Sequence, residues 1–290
     1  MAEDSSETFP IGTLVANGSH SCPIVSFPLS QPRNEELMRR LLSLLLFIYV
    51  ACPSQSRAQE VLIVADEFHA MQVLAAQIEA DTRLKTTIMG QTEIPASLAS
   101  YRAVMVYLHG ELQAGAEHKF IQYANEGGNL VLLHHSISSR KRENKDWFNF
   151  LHIELPNRPL AEGGYAYFDP VGFEVVNLAP GNAITTRGVK FDHTIPYASP
   201  EGAVEKKLPG TSFQETEVYV NHVLSGPRIV LLGVKYTDPK TGKVFMQDTA
   251  GWLLPTGKGD VFYFMMGHRT EDFEDAAYRR ILDNAVEYRR

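Results

Sequence analysis

From Gln59 onward, short apolar runs that each end in a polar cluster alternate with stretches of helical spacing. Val61–Ala65 reads Val-Leu-Ile-Val-Ala and closes at Asp66-Glu67, which predicts a first strand buried on both faces. His69–Asp81 carries Met71, Leu74, Ala75 and Ile78 at helical spacing. Leu84–Met89 predicts a second strand, and Ile94–Ser100 a loop or short helical turn. Tyr101–Leu108, rich in valine and aromatic residues, predicts a third strand. Ala114–Glu126 predicts a helix with Phe120, Ile121, Tyr123 and Ala124 on its apolar side and Gly127 as its C-cap. Leu130–Leu133 predicts a fourth strand that delivers His134-His135. This order predicts an α/β fold with a doubly wound, mostly parallel sheet and right-handed crossovers.

Beyond Ser138 the pattern loosens. Ser138–Asp146 is charged and reads as a surface loop, followed by a short helix over Asp146–Leu151 that carries Trp147 and Phe148. Glu162–Pro170 reads as a loop, Phe173–Leu178 as a strand, and Asn182–Leu208 as a mixed loop containing His193. Within that loop Glu205-Lys206-Lys207 reads as a solvated face. Glu217–Val220 and Arg228–Val234 predict further strands. Asp238-Pro-Lys-Thr-Gly242 is turn chemistry between two apolar segments, so an added hairpin is expected there. Gly257-Lys-Gly259 makes another tight turn before a last strand, Val261–Met266. Asp275–Tyr288 closes the chain as an amphipathic helix with Tyr278, Ile281, Leu282 and Ala285 facing inward. There is no internal repeat and no low-complexity tract.

The residues before Gln59 change the domain picture. Residues 1–37 are rich in Ser and Pro without a sustained period. Met38-Arg39-Arg40, the apolar run Leu41–Ala51 and Ser56-Arg57-Ala58 have the three parts of a secretory signal peptide. The expected organisation is therefore a non-native, disordered extension over 1–37, a signal peptide over 38–58 cleaved after Ala58, and one α/β domain over 59–290. That predicts a periplasmic or secreted protein with no transmembrane span in the mature chain, since the apolar run is too short to cross a bilayer. Lipid attachment at Cys52 is the alternative. The two cysteines, Cys22 and Cys52, both precede Ala58, so the domain holds no disulfide, thiolate nucleophile or cysteine-ligated metal. A formal charge of −7 and the lack of any basic tract exclude nucleic acid as a partner.

Candidate chemistry sits at predicted strand ends, where open α/β sheets place their ligands. His134-His135 end the fourth strand, His109-Gly110-Glu111 the third, and Gly267-His268 the last. Histidine serves both as a general base near neutral pH and as a metal ligand. His134, His135, Glu111 and His268 are the catalytic candidates. His109, His134, His135 and His268 are also candidate ligands for zinc or another divalent ion, completed by Glu111 or Glu217. Adjacent strand residues point to opposite faces, so His134 and His135 enter one site only if the strand has already ended. Glu217 and Tyr219 alternate on a strand and share a face suited to a polyol or to positioning a histidine. Trp147 and Trp252 could stack on a sugar or simply be buried. Ser136, directly after the histidines, leaves a Ser–His hydrolase open, although no Gly-x-Ser-x-Gly elbow surrounds it. His118 and His152 read as surface or packing residues.

Five segments in register carry a resemblance: Tyr107-Leu-His-Gly-Glu111, the run Tyr123–Ser136, Glu217-Val-Tyr219, the run Gly257–His268, and Tyr278-Arg-Arg-Ile-Leu-Asp-Asn284. Together they resemble the ThuA-like (trehalose-utilisation) family, whose fold is similar to the class I glutamine amidotransferases, a flavodoxin-like type. The resemblance covers Val61–Arg290. It implies that fold without cysteine-dependent amidotransferase chemistry. It also implies a role in disaccharide breakdown through 3-keto sugars, hence a small-molecule sugar derivative as partner. His134, His135, Trp147, Glu217, Tyr219 and His268 match family positions. His109, Trp147, Glu217 and Tyr219 are then expected to bind substrate; the divalent metal cofactor is an expectation from the histidines themselves. Members usually carry His-Pro-Ile-Thr before the Glu-x-Tyr strand. Here Asn182-Ala-Ile-Thr185 and Asp192-His-Thr-Ile195 are rival counterparts.

Overall fold

A computed structural model describes residues 60–200 and 204–290. The extension over 1–37, the signal peptide over 38–58 and Cys52 lie outside the described residues. The strands are β1 (Glu60–Ala65), β2 (Lys85–Met89), β3 (Ala103–Tyr107), β4 (Asn129–Leu133), β5 (Ile153–Glu154) and β6 (Ala166–Asn177), then β7 (His193–Tyr197), β8 (Lys206–Val220), β9 (Val223–Leu224), β10 (Ile229–Thr237), β11 (Val244–Thr256) and β12 (Gly259–Phe264). The helices are α1 (Phe68–Thr82), α2 (Ala114–Asn125), α3 (Lys145–Leu151), α4 (Ala183–Thr186) and α5 (Ala276–Glu287).

Among the described residues, ten strands form one sheet in the order β2-β1-β3-β4-β12-β11-β10-β6-β8-β7. The half from β2 to β12 is parallel. Its inner strands are the continuous apolar runs of the sequence, with every residue of β3, β4 and β12 buried, whereas the edge strand β2, Lys85–Met89, is only partly covered. Burial on both faces contributes about 1.5–3 kcal/mol for each large apolar side chain. The chain winds outward from β1 to β2 and, in the other direction, from β3 to β4, which is the doubly wound pattern. α1 packs against α5, and α2 against α3. The inward face expected of α5 is observed: Tyr278, Ile281, Leu282 and Ala285 are all buried. Asp275 caps it by accepting from the Tyr278 N–H at 2.7 Å.

The other half is antiparallel and larger than the single hairpin expected. The hairpin itself joins β10 to β11, and the Asp238 carboxylate closes its turn by accepting from Lys240 N and Thr241 Oγ1. Glu162–Pro170 and Asn182–Leu208, read as loops, instead contain the start of β6, all of β7 and the start of β8. Their exposed positions carry no apolar run, and the few buried side chains there, Ile195 and Tyr197 of β7 packed on Val176 of β6, are too widely spaced to read as a strand. Ser138–Asp146 also departs from the surface loop expected: Ser138 and Lys141 are buried. The Lys141 ammonium donates to the carbonyls of Leu108 and His109 at 2.6 and 3.3 Å, which lets a charged residue point inward.

Five strand steps separate β4 from β8 in the sheet order. At about 4.8 Å each, a flat sheet would hold them about 24 Å apart. The antiparallel half does not stay flat. The β6–β8 and β10–β11 pairings both shift register mid-strand, and such bulges bend a sheet. β8 thereby crosses the carboxyl-end rim of the parallel half and brings Glu217 to within 2.9 Å of His134.

Candidate functional site

β4 ends at Leu133, and His134–Ile137 form a turn of 3₁₀ helix. His134 takes φ +45°, a left-handed conformation that is costly for a side chain of this size. The strand has therefore ended before the pair, and both imidazoles turn to the same carboxylate. Nε2 of His134 and Nε2 of His135 lie 2.9 and 3.0 Å from Glu217 Oε2. Tyr219, two residues along β8 and on the same face, donates its hydroxyl to that oxygen at 2.7 Å. His268 Nδ1 stands 3.2 Å from His134 Nε2 and 3.6 Å from Glu217 Oε2. On its other side, His268 Nε2 faces Asp169 at 3.7 Å. The ring N–H of His134 at Nδ1 donates to the Met265 carbonyl.

His109 forms the outer layer. Its ring lies against that of His135, tilted by 36° with centroids 3.4 Å apart, and its Nδ1 is 3.1 Å from Glu67 Oε1. The loop that carries it is pinned by Asp66, which accepts the His109 and Gly110 amides at 2.8 and 2.7 Å. His134 and His135 are buried, whereas the side chains of His109 and His268 retain 28% and 21% of their exposure and face outward.

Electrostatics follow from this packing. Burial pushes the Glu217 carboxyl up, but the close His134 and His135 rings and the hydrogen bond from Tyr219 outweigh it and hold the group well below the usual carboxylate range. Burial lowers His135 to about 2, against the pull of Glu217, so this ring is neutral. Burial also lowers His109, with Glu67 opposing. Tyr219 is raised by burial and by the neighbouring Glu217 anion, and stays a donor.

The sequence candidates divide accordingly. His134, His135, Glu217, Tyr219 and His268 converge, with His109 packed against them. Glu111 does not join them. It lies exposed on the loop after β3, where its backbone carbonyl accepts from Gln91; the carboxylate beside the histidines is Glu217. Trp147 is not a sugar platform: it is fully buried and donates its indole N–H to the Ser136 carbonyl at 2.9 Å. Trp252 is likewise buried. Ser136 is buried and donates to the Val106 carbonyl at 2.7 Å, which does not arm it as a nucleophile. Neither rival for the His-Pro-Ile-Thr motif reaches the cluster. Asn182 caps α4, and His193 pairs with Asp192 on the edge strand β7.

Three residues escaped the sequence reading. Asp272, buried, accepts from Thr216 Oγ1 at 2.7 Å and from the Gly267 amide at 3.1 Å, which ties β8 to the turn that presents His268. Glu67 was visible only as the polar end of β1. His222, buried edge-on to Tyr219 with ring centroids 5.6 Å apart, lies just past a strand end as the other histidines do.

Comparison with known proteins places this arrangement. No curated protein matches the chain. The chain is similar to a ThuA-like protein from Bacteroides uniformis, with a TM-score of 0.53 and 16% identity over 80% of this chain and 91% of that one. The carbohydrate deacetylase Agd3 aligns with a TM-score of 0.48 and 11% identity, over 79% of this chain and 32% of that one. A β-galactosidase from Bacillus circulans sp. alkalophilus aligns at 0.42 and 10%, over 80% and 32%. The first of these likenesses shows the shared α/β fold. The sequence profile of the ThuA family, described as trehalose utilisation, matches residues 64–289, and the chain belongs to that family.

Proposed function

We propose that this protein acts on a sugar derivative, a disaccharide or its 3-keto form, with the histidine cluster as its reaction centre. The observation that carries the reading is the convergence of three imidazoles and a phenol on one carboxylate oxygen, Glu217 Oε2, from segments far apart in the chain. Membership of a trehalose-utilisation family supports the substrate class.

His109 is the general base in this reading. It is neutral, partly exposed, and backed at Nδ1 by Glu67, which leaves Nε2 to take a proton. In a 3-keto glycoside the acidic C–H lies beside the ketone. Proton transfer from that carbon (C2) to His109 would leave electron density on the keto oxygen; its return would form a C1=C2 double bond and break the C1–O bond, and the departing oxygen would take the proton back from His109 to leave as an alcohol. Glu67 would stabilise the imidazolium that forms. No cysteine is available for amidotransferase chemistry after residue 58. Export through the leader read at 38–58 belongs to the same proposal, and N-terminal sequencing of the mature protein tests it.

The functional test is turnover of 3-keto glycosides and their parent disaccharides. Wild-type protein should convert the keto form, and His109→Gln should lower kcat by roughly 10²–10⁴-fold with its circular dichroism unchanged. An unaltered rate in His109→Gln removes the assignment of the base. Saturable binding with no conversion of either sugar would make the chain a carbohydrate-binding domain instead.

A further inference from the structure

The cluster poses a proton-counting problem. A carbonyl can only accept, so the hydrogen bond to Met265 fixes the proton of a neutral His134 on Nδ1. Its Nε2 then carries a lone pair, yet that atom sits 2.9 Å from a carboxylate oxygen, which is also only an acceptor. The same oxygen already receives the Tyr219 hydroxyl and faces His135 Nε2 at 3.0 Å. Lone pairs facing one another at that range repel unless a proton or a cation lies between them.

The spacing decides between these. His134, His135, His268 and Glu217 each offer one ligand atom, and these four atoms all lie within 4.8 Å of one another. Four of the six separations are the contacts already described, 2.9, 3.0, 3.2 and 3.6 Å. A tetrahedron of nitrogen and oxygen ligands at about 2.0–2.2 Å from a zinc-like ion has edges of about 3.3–3.6 Å. A proton bridges one pair of atoms, whereas a single ion can contact all four. The outer groups also suit ligands. Met265 orients His134, Asp169 faces the far nitrogen of His268, and Tyr219 fixes Glu217.

We infer that His134, His135, Glu217 and His268 bind one divalent transition-metal ion, with Zn²⁺ as the best fit to three imidazoles and a carboxylate. His134, His135 and Glu217 form the buried face of the site. His268, at the rim, holds the outermost position, the one nearest an entering oxygen ligand. A keto or hydroxyl oxygen of the sugar would be polarised there, within reach of His109, so the inference rests on the functional reading above and supplies its electrophile.

The test uses the full-length mature protein, stripped with chelator and titrated with Zn²⁺ alone by calorimetry, then with Co²⁺ by visible absorption. Wild-type protein should take up a single equivalent of Zn²⁺, melt at higher temperature with it, and give the intense Co²⁺ spectrum of a four-coordinate site. Glu217→Gln should weaken Zn²⁺ binding roughly 100-fold. His268→Ala, a partly exposed position where misfolding is less of a hazard, should weaken it roughly tenfold and alter the Co²⁺ spectrum. Failure of folded wild-type protein to bind a stoichiometric ion, or wild-type affinity in both variants, overturns the site. Turnover that survives complete chelation would sink the metal while leaving the sugar reading intact. Metal binding without any glycoside ligand would do the reverse.

Discussion

Asp283 and Lys141 are buried ionisable residues with opposite prospects. Lys141 spends its charge on two carbonyls, and burial lowers it only to about 8. Asp283 sits on the inner side of α5 and is 2% exposed; burial and Asp81 push it up to about 7, with Arg280 and Arg279 opposing and Glu287 adding to the rise. Its folded pKa thus lies above its unfolded one, so the folded state keeps a proton that the unfolded chain releases. The Asp283 contribution is intact below about pH 4 and is lost as pH rises to about 7. Asp283→Asn should raise stability above pH 7 by on the order of 1–2 kcal/mol and leave it nearly unchanged at pH 4, as read from urea unfolding. A variant equally stable or less stable at pH 8 would contradict the assignment. Neither residue was legible in advance. A charged letter in a sequence predicts exposure, and only the carbonyls or helices packed around it reveal otherwise.

Among the elements, the turn after β12 has the most to do with the site. Gly267 takes φ +113°, and a Cβ there would lie 2.6 Å from the Phe273 ring. The turn reverses within one residue and presents His268, while Asp272 holds its amide and Thr216 together. Asp272→Ala would leave buried donors on two elements unsatisfied and should cost about 2–4 kcal/mol. It should also broaden or shift the His268 imidazole resonance, while the urea m-value stays that of wild type. Thr216→Val removes one of those donors and should cost less, about 1 kcal/mol. Equal stability of Asp272→Ala and wild type would refute this role. The sequence marked Gly267-His268 as a strand end because an apolar run stopped there. It gave no sign of Asp272, whose partner is 56 residues away.

At the scale of the whole molecule, the main core among the described residues reaches from Val61 in β1 to Val286 in α5 and includes both tryptophans, with a small second cluster of Val176, Ile195 and Tyr197 at the antiparallel edge. Trp147 lies beneath the parallel half beside Phe120, and Trp252 lies on β11 in the antiparallel half beside Tyr263. A shared core and continuous strand pairing predict that the two halves unfold together. Single-tryptophan variants Trp147→Phe and Trp252→Phe, followed by fluorescence in urea against circular dichroism, should give coincident midpoints within each variant. A separation of more than about 0.5 M between probes would show that the halves unfold independently.

The order of apolar runs determined the parallel, doubly wound half and the rim at its carboxyl ends, because buried strands need an unbroken apolar sequence whatever their neighbours. It also put His109, His134, His135 and His268 on that rim, since a polar letter ends each such run. The tertiary structure decided which of these letters act together. It turned His134 and His135 to one side by coiling them into a 3₁₀ turn directly after Leu133, and it chose Glu217 over Glu111 by bringing β8 to the histidines. It also withdrew Trp147 into the core. Each of those outcomes depends on contacts between segments far apart in the chain, and local spacing carries no record of such contacts.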